Sequence, residues 1–430
     1  MEIKPKILRI FSNDHHLEND LSKYEVVFPN IESYLNKQWL AYIFSLNEDF
    51  TDEEFENLNQ KIIEVVKENP DIKGVFMAYD LEAFLISAVF KDLNLPSIKL
   101  PSFENLYQVH HKIYQKMLEK DPTNYKYFDI FDDNWNQNLP KYPFYMKPAL
   151  GDGGLLNFII REEKQLDEII RLVRKDLPKL EKVYLYFAKK YLDLSKFPLA
   201  TKHIMLCEEL MENFTNLNLD ALVDEEGNIT TLLFSDQLIK KEIVLGYRFP
   251  SLVSHDITIR AKQMALELIQ KSGLKNASFN VEFFISENGD VKIMEVNVRS
   301  SLYFNFNYHI YGIRYTDLAV LLSMGQKIEL PNLGYHLKFS TQLHILTKKS
   351  GRLKDLLDLE KCSEEARIHH DYIFNFEIKD MKEDEFIEDK SHKNGNLLLQ
   401  IIFPSTTIEE CEKEILRLQN LLLLKDDYFK

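Results

Sequence analysis

Glu282, Glu295, Asn297 and Arg299 are the side chains whose types and spacing could do chemistry together. They lie in NVEFFISENGDVKIMEVNVRSS (280–301), where two strand-forming runs flank Asn288-Gly289. That dipeptide is the strongest short-range signal for a two-residue hairpin turn. A turn centred there predicts Glu282 directly opposite Glu295, with Cβ atoms about 4.5–5.5 Å apart, where like charges are destabilising. Val281, Phe283 and Ile285 line one face of this hairpin and Phe284 and Ile293 the other, so the pair stands among apolar neighbours. Strand alternation puts Asn280, Glu282, Glu295, Asn297 and Arg299 on one surface and Met294, Val296 and Val298 on the opposite one. Hard oxygen ligands so arranged suit Mg²⁺, which takes one or two carboxylates, keeps several waters and shares substrate phosphates. A cation between the two glutamates would turn repulsion into coordination. The alternative is an edge hairpin with a solvated acidic pair and a surface arginine, which the apolar neighbours disfavour. The register rests on the turn, and a single bulge would shift it.

A second constellation is YPFYMKPALGDGG (142–154). Here a strand ends in Lys147 and runs into a loop with Gly151, Gly153 and Gly154. Glycines let backbone N–H groups approach an anion closely, and Lys147 adds a point charge suited to phosphates. Alone this would be an ordinary turn; beside a two-carboxylate surface it becomes a candidate phosphate loop.

These segments need a scaffold. KILRIFS (6–12) and KGVFMAY (73–79) read as strands. Between them Thr51 and Glu54 form a capping box ahead of a helical face of Phe55, Leu58, Ile62, Val65 and Val66. A helix facing inward through Leu81, Phe84, Leu85 and Ala88 follows, so the first ~100 residues predict a small parallel α/β unit. No glycine-rich dinucleotide fingerprint follows either strand. Pro96 and Pro101 mark a boundary. Beyond it come a helix carrying Lys112, helical residues 163–177, a strand ending in CEELMEN (207–213) and a hairpin through DEEGN (224–228). An amphipathic helix over 256–272 turns Ile257, Ala261, Met264, Ala265 and Leu268 inward and stops at Gly273. After Pro331 a strand (LKFSTQLHIL), a charged run (377–393) read as a solvated loop, a strand (NLLLQIIF) and a helix capped by Thr407 with Glu410 complete the pattern.

With 430 residues, 45% hydrophobic and 28% charged, the chain predicts two or three globular domains. A net charge of −15 without a basic block argues against nucleic acid as the main partner. Cys207, Cys362 and Cys411 lie far apart with no CxxC pair, so neither zinc nor a disulfide framework is signalled. The N-terminal stretch lacks a signal-peptide core and no apolar run approaches ~20 residues; a cytoplasmic protein with no membrane partner is the expectation.

Lys112 on a helix, YMKPALGDGG, CEELM and VEFF…IMEVNVRSS, in that order and spacing, resemble the ATP-grasp superfamily, and within it the carboxylate–amine ligases and biotin-carboxylase-like members. The resemblance spans roughly the whole chain, with its discriminating motifs between 112 and 301. It implies an α/β (α+β) architecture: an N-terminal parallel α/β domain (1–100), a central two-lobed nucleotide-binding domain (101–330, lid lobe about 142–210) and a small C-terminal α+β domain (331–430). By the same resemblance Lys112 and Lys147 contact the ATP phosphates, and the loop with Gly151, Gly153 and Gly154 closes over them. Glu208, Glu209, Leu210 and Met211 form the adenine hinge, largely through backbone groups. Glu282, Glu295 and Asn297 hold Mg²⁺, two ions, with Mn²⁺ able to substitute. Arg299 faces the acyl substrate and the transferred phosphoryl group, with Ser300 and Ser301 beside the substrate.

Departures from the family pattern are Asp152 within the loop, Leu155-Leu156 after it, and Asn216 where relatives often carry an acidic ribose ligand; Asp220 reads as structural. Arg248 in GYRFP is a candidate for a substrate carboxylate, with a surface arginine as the alternative. His110-His111 read as surface residues, and His15-His16 and His369-His370 have no partners at ligand spacing. The implied activity is an ATP- and Mg²⁺-dependent ligase joining a small-molecule carboxylate to an amine, amino acids or a peptide, through an acylphosphate. A biotin-carboxylase-like component and a non-catalytic nucleotide-binding module are the alternatives. Oligomeric state is not encoded in any of these patterns.

Overall fold

The structure is a computed structural model that describes residues 4–10, 21–29, 51–93, 95–151, 154–240, 243–299, 306–330, 339–375, 384, 386–387 and 396–423. His15-His16 and nearly all of the charged run 377–393 lie outside them, as do Asp152, Gly153, Ser300 and Ser301.

Three parallel strands, β1 (Lys6–Leu8), β2 (Glu25–Val27) and β3 (Ile72–Val75), pair in the order β2-β1-β3. Helix α1 (Asp52–Glu68) starts at the expected capping box, with Thr51 accepting from the Glu54 N–H and the Glu54 carboxylate accepting from the Thr51 N–H at 2.6 Å. The inward face carries Phe55, Leu58 and Ile62. β1 and β3 are shorter than their apolar runs because the backbone leaves the ladder early. The Ile10 and Ala78 N–H groups donate instead to the carboxylate of Glu82, at 2.9 and 2.8 Å, in the first turn of α2 (Asp80–Leu93).

Helices α3 (Phe103–His110) and α4 (Lys112–Leu118) follow, broken at His111, whose backbone is extended. Both histidines of this break are buried, contrary to the surface reading. They stand in an aromatic cluster, His110 at 5.2 Å from Tyr184 and His111 at 5.6 Å from Tyr107. Burial, and after it the neighbouring His110, pushes the His111 imidazole down to about 3, so this ring packs as a neutral group.

A second sheet contains β4 (Tyr125–Asp129), β5 (Phe144–Pro148), β6 (Phe158–Ile160) and β7 (Ile204–Glu209), antiparallel in the order β4-β7-β5-β6. Strand β4 thus belongs to the same sheet as the segment 144–209. Helix α5 (Leu166–Tyr191) covers it and runs straight through Pro178, where the sequence suggested a stop at 177. An interior proline costs about 3 kcal/mol. Leu166, Ile170, Val173, Leu177, Leu180, Tyr184, Phe187 and Tyr191 are all buried along one helical face, and at ~1.5–3 kcal/mol for each large side chain that stripe outweighs the break.

The largest sheet is built from β8 (Phe214–Val223), β9 (Ile229–Lys240), β10 (Ile243–Phe249), β11 (Ala277–Ser286), β12 (Val291–Asn297), β13 (Phe339–Thr347), β15 (Ile373–Asn375) and β17 (Asn396–Ser405). Its order is β12-β11-β8-β9-β10-β13-β17-β15. Pairing of β10 with β13 carries the segment beyond 331 into the same sheet as the hairpin. The short strands β14 (Gly351–Arg352) and β16 (Phe386–Ile387) pair apart from it. Helix α6 (His255–Ser272) packs on β12 and ends at Gly273, left-handed at φ 65°, as its sequence pattern predicts. The remaining helices are α7 (Phe306–Tyr311), α8 (Tyr315–Ser323), α9 (Leu353–Leu356), α10 (Leu359–Ile368) and α11 (Ile408–Leu422), the last capped by Thr407. Among the described residues no helix is long and apolar enough to cross a membrane.

Candidate active site

Glu282 and Glu295 are direct cross-strand partners, as are Asn280 and Asn297. The register arises differently from the one expected. The β11–β12 loop has three residues rather than two: Ser286 N–H donates to the Asp290 carbonyl at 3.0 Å, and Gly289, left-handed at φ 81°, donates to the Ser286 carbonyl at 2.8 Å. That displaces the pairing by one residue, so that Ile285 meets Val291 and Phe283 meets Ile293. A bulge between Glu282 and Phe283 then restores it, leaving Met294 unopposed. The bulge also brings Ile293 to the core face beside Phe283, away from the outer face assigned by simple alternation. Bulges of this kind re-aim side chains and terminate pairing next to functional sites. Here two backbone carbonyls of the edge strand turn to lysines, Ile293 accepting from Lys116 Nζ at 3.0 Å and Met294 from Lys147 Nζ at 3.4 Å.

The two glutamates differ in state. Lys112, the first residue of α4, places Nζ 2.8 Å from Glu295. Burial would raise the Glu295 carboxyl, but Lys112, and Lys147 after it, hold it below its ordinary value. Glu282 has a weaker partner, the Asn297 amide donating at 3.3 Å. Burial first and Glu295 second push it up to about 7, with Arg299 pulling the other way. The residues present fit a hard divalent cation: two carboxylates and one amide oxygen face one surface, and one of those carboxylates, Glu282, is destabilised as an anion by burial and by Glu295. No group of three or more His, Cys, Asp or Glu side chains capable of holding a metal occurs among the described residues. Mg²⁺ needs only one or two carboxylates beside a phosphate.

In the four-stranded sheet, Lys147 is the penultimate residue of β5 and lies 2.7 Å from Glu208 on the adjacent β7. Glu208 also meets Lys116 at 3.0 Å and accepts from the Thr123 hydroxyl at 2.6 Å, while Lys116 contacts Glu119 at 3.3 Å. All five of these side chains are buried. Burial opposes ionisation of Glu208, yet Lys147 and then Lys116 bring its carboxyl down to about 2. Lys147 in turn is raised, Glu208 and Glu295 together overcoming the effect of burial. The Glu208 side chain is therefore committed to an ion network, and its backbone lies within the sheet between Tyr125 and Tyr145. Glu209 and Met211 line a cleft of 540 Å³ with Asp121, Arg260, Met264 and Lys292, and Leu210 lies half-buried between them. Lys116, Glu119 and Thr123 went unnoticed in the sequence, because a lysine one helical turn past Lys112 carries no motif of its own.

The glycine loop is anchored at the same place. Lys112 donates through its backbone N–H to the Ala149 carbonyl at 2.9 Å and through Nζ to the Gly151 carbonyl at 3.1 Å. Gly151 (φ 143°) and Gly154 (φ 72°) both have positive φ angles, which favour glycine, and a Cβ at 151 would press on Leu180 at 3.0 Å.

Arg299 leaves the hairpin and donates through Nε to Asp80 of α2 at 2.6 Å. Arg248 is not brought into the group. Its Nη2 bonds Asp236 at 2.9 Å, and Asp236 pairs with Leu217, so both lie on the sheet face opposite to Asn218 and Glu282. Asn216 donates to Gln237 at 2.5 Å, and Asp220 accepts from Asn280 at 3.1 Å.

No family model matches the sequence, and no curated protein matches it. Solved structures do. L-amino acid ligase from Bacillus licheniformis superposes with a TM-score of 0.72 at 16% identity, covering 99% of this chain and 100% of that one. N5-carboxyaminoimidazole synthetase from Staphylococcus aureus, complexed with ADP, gives 0.61 at 15% identity over 96% and 95%. Phosphoribosylglycinamide synthetase from Anaerococcus prevotii gives 0.60 at 17% identity over 98% and 99%. Identities this low speak for the fold alone. With a small parallel sheet, a four-stranded antiparallel sheet and a large antiparallel sheet carrying the paired glutamates, this chain has the ATP-grasp fold.

Proposed function

We propose that this protein is an ATP- and Mg²⁺-dependent carboxylate–amine ligase, acting on small molecules of the amino-acid or peptide class. One observation supports the reading most: a cross-strand pair of glutamates stands beneath Lys112 and Lys147, with Lys112 serving only Glu295 directly. In the proposed reaction a carboxylate oxygen attacks the γ-phosphorus of ATP, and the bond to the bridging oxygen breaks, giving an acylphosphate and ADP. An amine then attacks the acyl carbon, phosphate leaves, and the amine loses a proton as the amide forms.

The first step brings two anions together. At ~4 Å a unit like-charge contact costs about 4 kcal/mol at an effective dielectric of ~20. Lys147, raised and buried, supplies a fixed positive charge beside the glycine loop, and Lys112 ties that loop to Glu295. Arg299 offers a planar fork that suits a carboxylate or acylphosphate better than a point charge would. Glu282, Glu295 and Asn297 would hold Mg²⁺, which supplies charge neutralisation on the transferring phosphoryl group when bound. No side-chain nucleophile is required; Cys207, Cys362 and Cys411 are all buried thiols. Incubation with ATP, Mg²⁺ and mixtures of the common amino acids tests the reading through phosphate release. Amino-acid-dependent release supports it, and ATP binding without such release would leave a nucleotide-binding module.

A further inference from the structure

Arg299 is gripped from outside the central sheet. Its Nε donates to Asp80 Oδ2 at 2.6 Å, between side chains that are 16% and 6% exposed. Asp80 opens α2, just past the carboxyl end of β3. In open parallel sheets that edge is where ligands lie. Two residues on, Glu82 is fully buried and accepts from both Ile10 N–H and Ala78 N–H. It thereby clamps the end of β1 and the segment after β3 against the start of α2, so the Asp80 carboxylate stands on a braced turn. A carboxylate with a purely local duty at a helix start accepts from first-turn N–H groups. Asp80 does not: its second oxygen, Oδ1, is buried without a hydrogen-bond partner, and Oδ2 is given to Arg299.

We propose that Asp80 is the positioning residue for Arg299, so that the N-terminal unit completes the acyl end of the active site. The inference rests on the ligase reading above. A guanidinium on a long side chain loses substantial rotamer entropy when ordered, and a carboxylate on Nε fixes the plane of the fork before the substrate arrives. Pre-ordering of this kind lowers the barrier to the step that uses the fork and leaves nucleotide binding alone.

The test uses the full chain with Asp80→Ala and Asp80→Asn, alone and combined with Arg299→Lys. ATP affinity with Mg²⁺ is read by calorimetry, and single-turnover ADP formation is read with the common amino acids. Asp80→Ala is expected to lower turnover ~10–100-fold with ATP affinity within about twofold of wild type. Asp80→Asn should fall between, because its amide oxygen still accepts from Nε. Adding Asp80→Ala to Arg299→Lys should cost little more, since residues acting as one unit are non-additive. Unchanged turnover in Asp80→Ala, a parallel loss of ATP affinity, or multiplicative losses in the double variant would each overturn the assignment. Should Asp80→Ala fail to fold, Asp80→Asn decides: wild-type turnover overturns the proposal and a selective loss supports it. Wild-type protein without amino-acid-dependent turnover overturns the ligase reading and this inference with it, whereas turnover that survives Asp80→Ala overturns the inference alone.

Discussion

Glu282 and Glu295 face each other across β11 and β12, yet Lys112 reaches only Glu295, at 2.8 Å, while Glu282 is left with the Asn297 amide. The like-charge strain therefore falls on Glu282. Without Mg²⁺, Glu282→Gln should leave the protein as stable as wild type or more so, because the substitution removes one of two adjacent negative charges. Glu295→Gln should do the opposite and destabilise the protein, because the buried Lys112 ammonium loses its carboxylate and is left with the Gly151 carbonyl. Urea denaturation of both variants without metal checks the asymmetry, and both should lose Mg²⁺-dependent turnover. Equal effects on stability would mean that the pair shares its cation.

Lys147→Ala should weaken ATP binding ~10-fold or more, the scale of one charge-assisted hydrogen bond. Glu208 keeps Lys116 at 3.0 Å in that variant, so the ion network is thinned rather than broken. Lys112→Ala should affect ATP less: both ammoniums are engaged by carboxylates, but Lys147 comes directly before the glycine loop, whereas Lys112 holds that loop through the Gly151 carbonyl. Calorimetric titration with ATP ranks the two, and the reverse order would contradict the phosphate role of Lys147.

Arg299→Lys should keep ATP affinity while lowering single-turnover ADP formation ~10²–10³-fold, the usual loss for one transition-state donor. A lysine can neither reproduce the fork nor hold Asp80 through Nε. Parallel loss of affinity and turnover would make Arg299 a nucleotide ligand.

Stability should also depend on pH through helix α5. Glu181 of α5 is fully buried, 3.0 Å from His203, and burial pushes its carboxyl up to about 7. A raised carboxyl holds its proton in the folded state after the unfolded chain has lost it. Its contribution is therefore fully present below about 4.5 and declines as pH rises through about 7, by on the order of 3 kcal/mol. Glu181→Gln should flatten that decline in urea denaturation between those pH values. An unchanged slope would place the titrating group elsewhere.

Much of the scaffold was legible because its signals are local. The Thr51–Glu54 box, the Gly273 stop and the Thr407 cap each follow from a few adjacent residues, and each is found in place. The Glu282–Glu295 pairing was legible for a less secure reason. A three-residue loop and a bulge at Met294, neither written in the alternation, shift the strands by compensating single residues. Partners that only tertiary structure brings near were not legible. Asp80 lies more than two hundred positions from Arg299, and Lys116 reaches Glu208 only because α4 docks against β7 and β12. Helix α5 passes Pro178 because burial of its long apolar face outweighs a rule that is sound only for an isolated helix.

The central claim is tested most directly by following oxygen. Amino acids labelled with ¹⁸O in the carboxylate are incubated with the protein, ATP and Mg²⁺, and the nucleotide and phosphate products are analysed by mass spectrometry. Attack of that carboxylate on the γ-phosphorus, followed by amine displacement, predicts ADP together with inorganic phosphate carrying one ¹⁸O. Formation of AMP and pyrophosphate, or of ADP with unlabelled phosphate, would contradict it.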